Sequence, residues 1–193
     1  TMDNLMEQWT SYSYVPPIRN WGESTITGKG RSYGLEAEAE YNREKLHLTA
    51  YYTLSWNERR FEELWYDWYP DRNDNRHKLT LMANYRFSGR FDVYAGWNWH
   101  SGNRTTVEGY QSHQFGRPYN LSLPDYHRLD LGMNFRKTTR KGNESIWNVS
   151  VYNAYCRMNT LFANVQYNDF ETTKGITYGI VPIIPSFSYT LKF

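Results

Sequence analysis

The chain has 193 residues and a net charge of +2, and its mean hydropathy is -0.82 even though aromatic residues make up 18% of it. That charge, with no Lys/Arg cluster beyond 136–141, excludes a nucleic-acid footprint; the lack of any run of about 18 apolar residues excludes a transmembrane helix, leaving a closed barrel as the one way to cross a bilayer. The single cysteine, Cys156, excludes an internal disulfide framework and a Cys-based zinc site, and is expected to be a buried thiol.

Residues 1–24 lack a clean period and contain Pro16-Pro17, so they read as a loop region, with at most a short strand over 11–15. The opening, Thr1-Met2-Asp3-Asn4, does not read as a signal peptide. From about 25 to 42 the chain alternates, with Tyr33, Leu35, Ala37, Ala39 and Tyr41 on one face. Glu36, Glu38 and Glu40 fall on the other, because side chains in a strand project with period two. A second strand over 46–57 sets Leu46, Leu48, Ala50, Tyr52, Leu54 and Trp56 against polar residues. It meets the 9 to 11 or so residues that a tilted strand needs to cross a membrane.

A connection over 58–75 follows, carrying Trp65, Tyr66, Trp68 and Tyr69. The third strand, 76–87, and the fourth, 91–100, keep the same alternation around a short turn. An irregular stretch of 101–125, rich in Gly, Asn, Gln and Ser, is longer than a compact domain tolerates without a function. The fifth strand runs over 126–137 and the sixth starts near 145, with a bulge at 153–155 that would let it continue to about 167. After a loop over 168–175, the last strand runs from 176 to Phe193, with Phe187, Tyr189, Leu191 and Phe193 on one face.

Connections after the first, third and fifth strands are short, and those after the second, fourth and sixth are long. Outer-membrane barrels have short periplasmic turns and long extracellular loops, which puts Phe193 on the periplasmic side. Apolar-out, polar-in strands also fit a barrel wall, where one face meets lipid and the other a wet lumen. The expected fold is therefore all-β, a transmembrane antiparallel barrel segment of about seven strands. Two alternatives compete: a complete eight-stranded outer-membrane barrel acting as adhesin, anchor or lipid enzyme, and a soluble calycin-like binding module.

Several segments carry a family likeness: G-K-G-R-S-Y-G-L-E from Gly28, D-N-R-H-K-L from Asp74, L-P-D-Y-H-R-L-D-L-G-M-N-F-R from Leu123, W-N-V-S-V-Y-N-A-Y from Trp147 and the terminal P-I-I-P-S-F-S-Y-T-L-K-F. In that order they resemble the C-terminal barrel of TonB-dependent outer-membrane receptors of the Bacteroidetes type, over nearly the whole chain from Trp21 onward. Cys156 departs from the Asn that such sequences usually carry. The resemblance implies a barrel of about 22 strands closed by an N-terminal plug, with residues 25–193 as its last strands and 1–24 as an extracellular loop region. It also implies a receptor that imports a scarce or bulky nutrient, such as a metal chelate, peptide or glycan, with energy coupled through TonB. The partners it implies are outer-membrane lipid, the plug and remaining strands, the TonB complex reached through a part N-terminal to Thr1, and a surface lipoprotein as a further candidate. The place it implies is the bacterial outer membrane.

The candidate substrate-binding residues are the loop aromatics Trp65, Tyr66, Trp68 and Tyr69, which can grip a ligand by stacking; the competing reading is an interfacial aromatic girdle. Glu36, Glu38 and Glu40 are candidates to line a path through the lumen or to pair with Lys78, Arg128 and Arg136. No catalytic residue, metal site or cofactor is expected. Asp71 to Asn75 begins like a calcium loop but lacks its Gly and final Glu. His100 and Ser101, adjacent in a strand, point to opposite faces and cannot pass a proton between them. The N-x-S/T triplets at Asn103, Asn120, Asn143 and Asn148 carry no weight in a chain this rich in Asn, Ser and Thr.

Overall fold

A computed structural model describes residues 1–8, 25–106, 117–139, 142–168, 172–179 and 181–193. These residues form antiparallel strands with no helix among them, so the expectation of an all-β antiparallel sheet holds. The strands are β1 (Met2–Gln8), β2 (Thr25–Arg43), β3 (Leu46–Phe61), β4 (Trp65–Pro70), β5 (His77–Arg86), β6 (Phe91–His100), β7 (Arg104–Thr105), β8 (Leu121–Ser122), β9 (Tyr126–Thr138), β10 (Glu144–Tyr152), β11 (Thr160–Asn168), β12 (Thr172–Gly179) and β13 (Ile184–Lys192). The main sheet is an up-and-down meander in the order β1-β2-β3-β5-β6-β9-β10-β13, with β4 paired to the far end of β3.

The alternating pattern sets the register. Tyr41 lies opposite Leu48, Leu48 opposite Ala83, Ala83 opposite Ala95, Ala95 opposite Leu131 and Leu131 opposite Val151. A one-residue slip anywhere along this row would turn an apolar set toward the polar face, which is why a two-faced sheet fixes its register strongly. Gly132 faces Tyr94 across the β6–β9 pair, and a Cβ there would run into the Tyr94 ring. The glycine leaves the space in which that ring lies flat on the polar face.

Among the described residues no element lies over the apolar face of the main sheet. Apolar residues with buried side chains are few among the described residues: Ile26, Phe61, Tyr69 and Leu123. Leu35 is 62% exposed and Phe187 61% exposed, both on the apolar face. The accessible surface is 14104 Å², against roughly 9,700 Å² for a compact monomer of this mass. No pairing among the described residues joins β1 to β13, so the sheet is open at both edges. β1 pairs with β2 from Thr25 to Gly30, and no described residue pairs with 31–43 on that side.

Five expectations are corrected. Met2–Gln8 is a strand rather than loop, because its residues find ladder partners on β2 although they carry no apolar period; the strand expected over 11–15 and Pro16-Pro17 lie outside the described residues. The connection over 58–75 is mostly strand: β3 extends to Phe61 and turns back into β4. The sixth strand stops at Tyr152, where Asn153 takes a left-handed φ of 54° and turns the chain. Asn153 holds that corner by donating to the carbonyls of Arg157 and Val181 at 2.9 Å each and accepting from the Arg157 amide at 3.1 Å. The loop over 168–175 and the unbroken last strand give way to a separate β11–β12 hairpin and to β13, with 169–171 outside the described residues. Cys156, expected to be buried, is exposed in the turn after Asn153.

Candidate functional site

The short connections, at 44–45, 87–90 and 139–143, lie at one end of the sheet, here called the lower end; the β3–β4 hairpin, β7, β8, β11 and β12 lie at the upper end. Two rows of aromatic rings cross the apolar face near these ends. The upper row runs through Tyr33, Trp56, Tyr52, His77, Trp99, Trp97, His127 and Tyr155, with ring centroids 5.4 to 6.5 Å apart at its closest pairs. The lower row contains Tyr85, Phe87 and Phe91, and further on Trp147 between Phe187 and Tyr189. Tyr33 to Tyr41, His77 to Tyr85, Phe91 to Trp99 and His127 to Phe135 are each eight residues. At about 3.3 Å per residue that is about 26 Å along the strand. Only uncharged residues, such as Leu79, Leu81 and Ala83 on β5, lie on this face between the rows.

Both rows run obliquely to the strands. The ladder row that contains Tyr41 meets β9 at Leu131, yet the lower aromatic of β9 is Phe135, four residues further down. The ladder row of His127 meets β2 at Ala37, four residues below Tyr33. Four residues of drift over four strand spacings is about 13 Å in 19 Å, a slope near 35°. Tilted barrel strands run at about 35 to 45° to the axis, and a band seen at that angle is about 22 Å tall.

The polar face satisfies itself. Asp92, 3% exposed, pairs with Arg136 and accepts from Asn134 Nδ2 at 2.8 Å. Asn148 Nδ2 donates to Asn134 at 2.8 Å and to Tyr94 at 3.1 Å. Arg128 donates to Asp130 and to the hydroxyls of Tyr126 and Tyr152, with its guanidinium 4.0 Å above the Tyr152 ring. Of the partners expected for the glutamates, Arg128 holds Asp130 and Arg136 holds Asp92, while Lys78 stands in the ladder row of Glu36, one strand beyond Thr53, with no ion pair among the described residues. Glu36, Glu38 and Glu40 stay exposed, with Glu40 3.5 Å from His47.

Above the upper row, a packed cap forms on the polar side. Ile26, Phe61 and Tyr69 are its core, with Leu5, Leu64, Trp65 and Tyr119 against them. Tyr119 comes from the connection after β6 and reaches across to β1, donating to Glu7 at 3.4 Å, with its ring 6.2 Å from Tyr69. Asp74 has no exposed side-chain surface; it accepts from the Asn57 amide at 3.0 Å and pairs with Arg76 at 3.0 Å and Arg104 at 3.5 Å. Asp71 pairs with Arg59 and accepts from the Asn73 amide at 2.8 Å. The calcium-like run thus spends both carboxylates on arginines and backbone. Gly102 is pressed so closely on the Leu123 carbonyl that a side chain would not fit. Burial raises the pKa of the Tyr69 and Tyr119 hydroxyls above the usual tyrosine value, helped by the Glu7 carboxylate.

The four candidate aromatics fall in different surroundings. Trp65 packs against the cap core and Tyr69 is part of it, 0% exposed. Tyr66 is 74% exposed, and Trp68 lies under the Arg31 guanidinium at 4.3 Å, itself paired with Glu58 at 2.6 Å. Trp65 and Tyr66 stay together, their rings stacked with centroids 5.3 Å apart, while Trp68 and Tyr69 take up contacts of their own. Sequence reading missed Phe61, Tyr119, Asp74 and Arg104, whose roles depend on contacts distant in sequence. His100 and Ser101 do not act together: His100 Nδ1 meets the Ser101 carbonyl at 2.8 Å, while Ser101 Oγ accepts from the His77 amide.

The fold and its surfaces define an open antiparallel β-sheet with one apolar and one polar face, capped at one end. No known protein family, curated protein or solved structure matches the chain.

Proposed function

We propose that this chain is the C-terminal wall of an outer-membrane barrel, part of a TonB-dependent receptor that imports a scarce or bulky nutrient such as a metal chelate, peptide or glycan. The observation that carries the reading is the pair of parallel aromatic rows, eight residues apart and inclined to the strands, bounding an uncharged band. Interfacial girdles at the two surfaces of a bilayer take that form. A wide sheet with an exposed apolar face would aggregate in water, and its two open edges in lipid would cost several kcal/mol for each unpaired backbone group. Further strands therefore complete both edges, the polar face lines the lumen, and the cap lies on the extracellular side.

In this reading the cap and loops capture the ligand, a plug contributed by another part of the receptor rearranges under pull from TonB, and the polar wall forms one side of the path. The wall does no chemistry on the ligand. A second reading, a complete eight-stranded barrel, is favoured by the eight strands of the sheet path.

The test is the mass of the native chain, by immunoblot of detergent-extracted outer membrane with antibody to the Phe193 end. A band several times larger than 23.1 kDa is expected. A band near that mass that shifts on heating would overturn the receptor reading in favour of the small barrel.

A further inference from the structure

We propose that His100, Tyr126, Tyr152 and Tyr94 form an aromatic track down the luminal face of the wall, and that it takes the ring faces of an uncharged oligosaccharide. The proposal rests on the membrane-wall reading and deepens it by choosing the substrate class. By alternation all four residues lie on the polar face, with Asp92 and Asp130. His100 and Tyr126 face each other across the β6–β9 pair, their rings parallel within 3° and 4.8 Å apart. Tyr152 follows Val151, which faces Leu131, and so stands level with Asp130, below Tyr126. Tyr94 leans over Gly132, one step further down this face. From Tyr126 to Gly132 is about 20 Å along the strand, the reach of several linked sugar rings rather than of one.

Each ring is fixed by neighbours within the wall. The Arg128 guanidinium sits 4.0 Å above the Tyr152 ring and donates to the Tyr126 and Tyr152 hydroxyls at 2.9 and 2.7 Å. Tyr94 lies in the space that Gly132 leaves, and its hydroxyl accepts from Asn148 Nδ2 at 3.1 Å, which leaves its own hydrogen to give. All four rings are half-buried, so each keeps part of its surface open. Fixed rings with amides and hydroxyls at their rims suit a sugar, whose C–H faces stack on them while its hydroxyls exchange hydrogen bonds at the edge. Charge decides against the other substrates. Along the track the charged groups are matched already: Arg128 with Asp130 and, below Tyr94, Asp92 with Arg136. Lys78, opposite His100, and Glu36, beyond Thr53 in the same ladder row, have no ion pair among the described residues, and both lie to one side of the track at its upper end. An anionic chelate or a charged peptide needs such groups along its path; an uncharged glycan does not.

The experiment titrates the full-length receptor in detergent with uncharged hexasaccharides of glucose, mannose and xylose and, for comparison, with a charged hexapeptide and a ferric tris-catecholate complex. At least one hexasaccharide should bind. Tyr94→Leu and Tyr152→Leu should each weaken that binding about tenfold, whereas Tyr94→Phe, which keeps the ring, should weaken it much less. Tyr51→Leu, at a tyrosine on the polar face away from the track, should leave it unchanged. Folding is read from heat-modifiable mobility, and Tyr94→Leu carries the test alone if Tyr152→Leu does not fold. Binding of no hexasaccharide, or binding that Tyr94→Leu leaves intact, would overturn the proposal. Binding of the peptide or the chelate alone would overturn it and leave the receptor reading standing; failure of that reading is seen separately, as a native band near 23.1 kDa.

Discussion

In the cap, Phe61 and Tyr69 are fully buried and Asp74 is enclosed by two arginines, whereas in the sheet Leu35, Leu131 and Phe187 stand exposed on a face that no other element covers. Under the proposed function the two regions draw on different solvents. The cap excludes water by packing its own side chains, as a small soluble domain does, and its polar groups are paired within it. The sheet between the aromatic rows has no interior of that kind: its apolar side stands exposed, where the proposed function puts lipid, and its polar side is cross-linked by Asp92, Asn134, Arg136 and Asn148. The lesson is that apolar residues have opposite surroundings at the two ends of β3, where Leu48 stands outward and Phe61 is sealed inside.

The largest expected effect is in the cap. Phe61→Ala removes a fully buried ring and should cost about 4 kcal/mol of local stability, read as faster amide exchange and proteolysis in the β3–β4 hairpin with the sheet left intact. If the sheet fell with it, the two regions would not be separable. The next is Leu131→Arg, in the middle of the band. Against lipid it should cost about 3 kcal/mol, measured as a lower midpoint for unfolding from vesicles; against water the same change would cost almost nothing.

A third prediction separates the regions by pH. The Tyr69 and Tyr119 hydroxyls have folded-state pKa values above the unfolded value near 10. Their contribution is constant below pH of about 10; above it the unfolded chain ionises first and cap stability falls as pH rises. Amide exchange at the hairpin should therefore accelerate above that pH. Tyr69→Phe should blunt this dependence with little loss at neutral pH, because the Tyr69 hydroxyl has no hydrogen-bond partner among the described residues. The smallest effect is expected for Gly132→Ala, at about 1 kcal/mol, since the added methyl meets the movable end of the Tyr94 ring rather than backbone.

The sheet was legible because its residues obey one rule. The strand expected over 91–100 is β6 to the residue, and 126–137 falls one residue short of β9. The two aromatic rows were only half legible. Alternation identifies the outward residues, but the common eight-residue spacing and the slope emerge only when the register places neighbouring strands side by side. The cap was not legible. Trp65, Tyr66, Trp68 and Tyr69 read as a loop cluster because Asp67 and Pro70 interrupt the apolar count, while the partners that bury Tyr69 come from Ile26, Phe61 and Tyr119. The corner at Asn153 looked like a bulge; its left-handed backbone and its bonds to Arg157 and Val181 depend on a segment almost thirty residues away.

The measurement that tests the membrane-wall account most directly is a spin-label scan along β5 in lipid vesicles, from Leu79 to Asn84, reading collisions with oxygen and with a polar nickel complex. The account predicts a period of two: labels at Leu79, Leu81 and Ala83 collide with oxygen and are shielded from nickel, and labels at Thr80, Met82 and Asn84 show the reverse. Equal nickel accessibility at all six positions would contradict it and place both faces of the sheet in water.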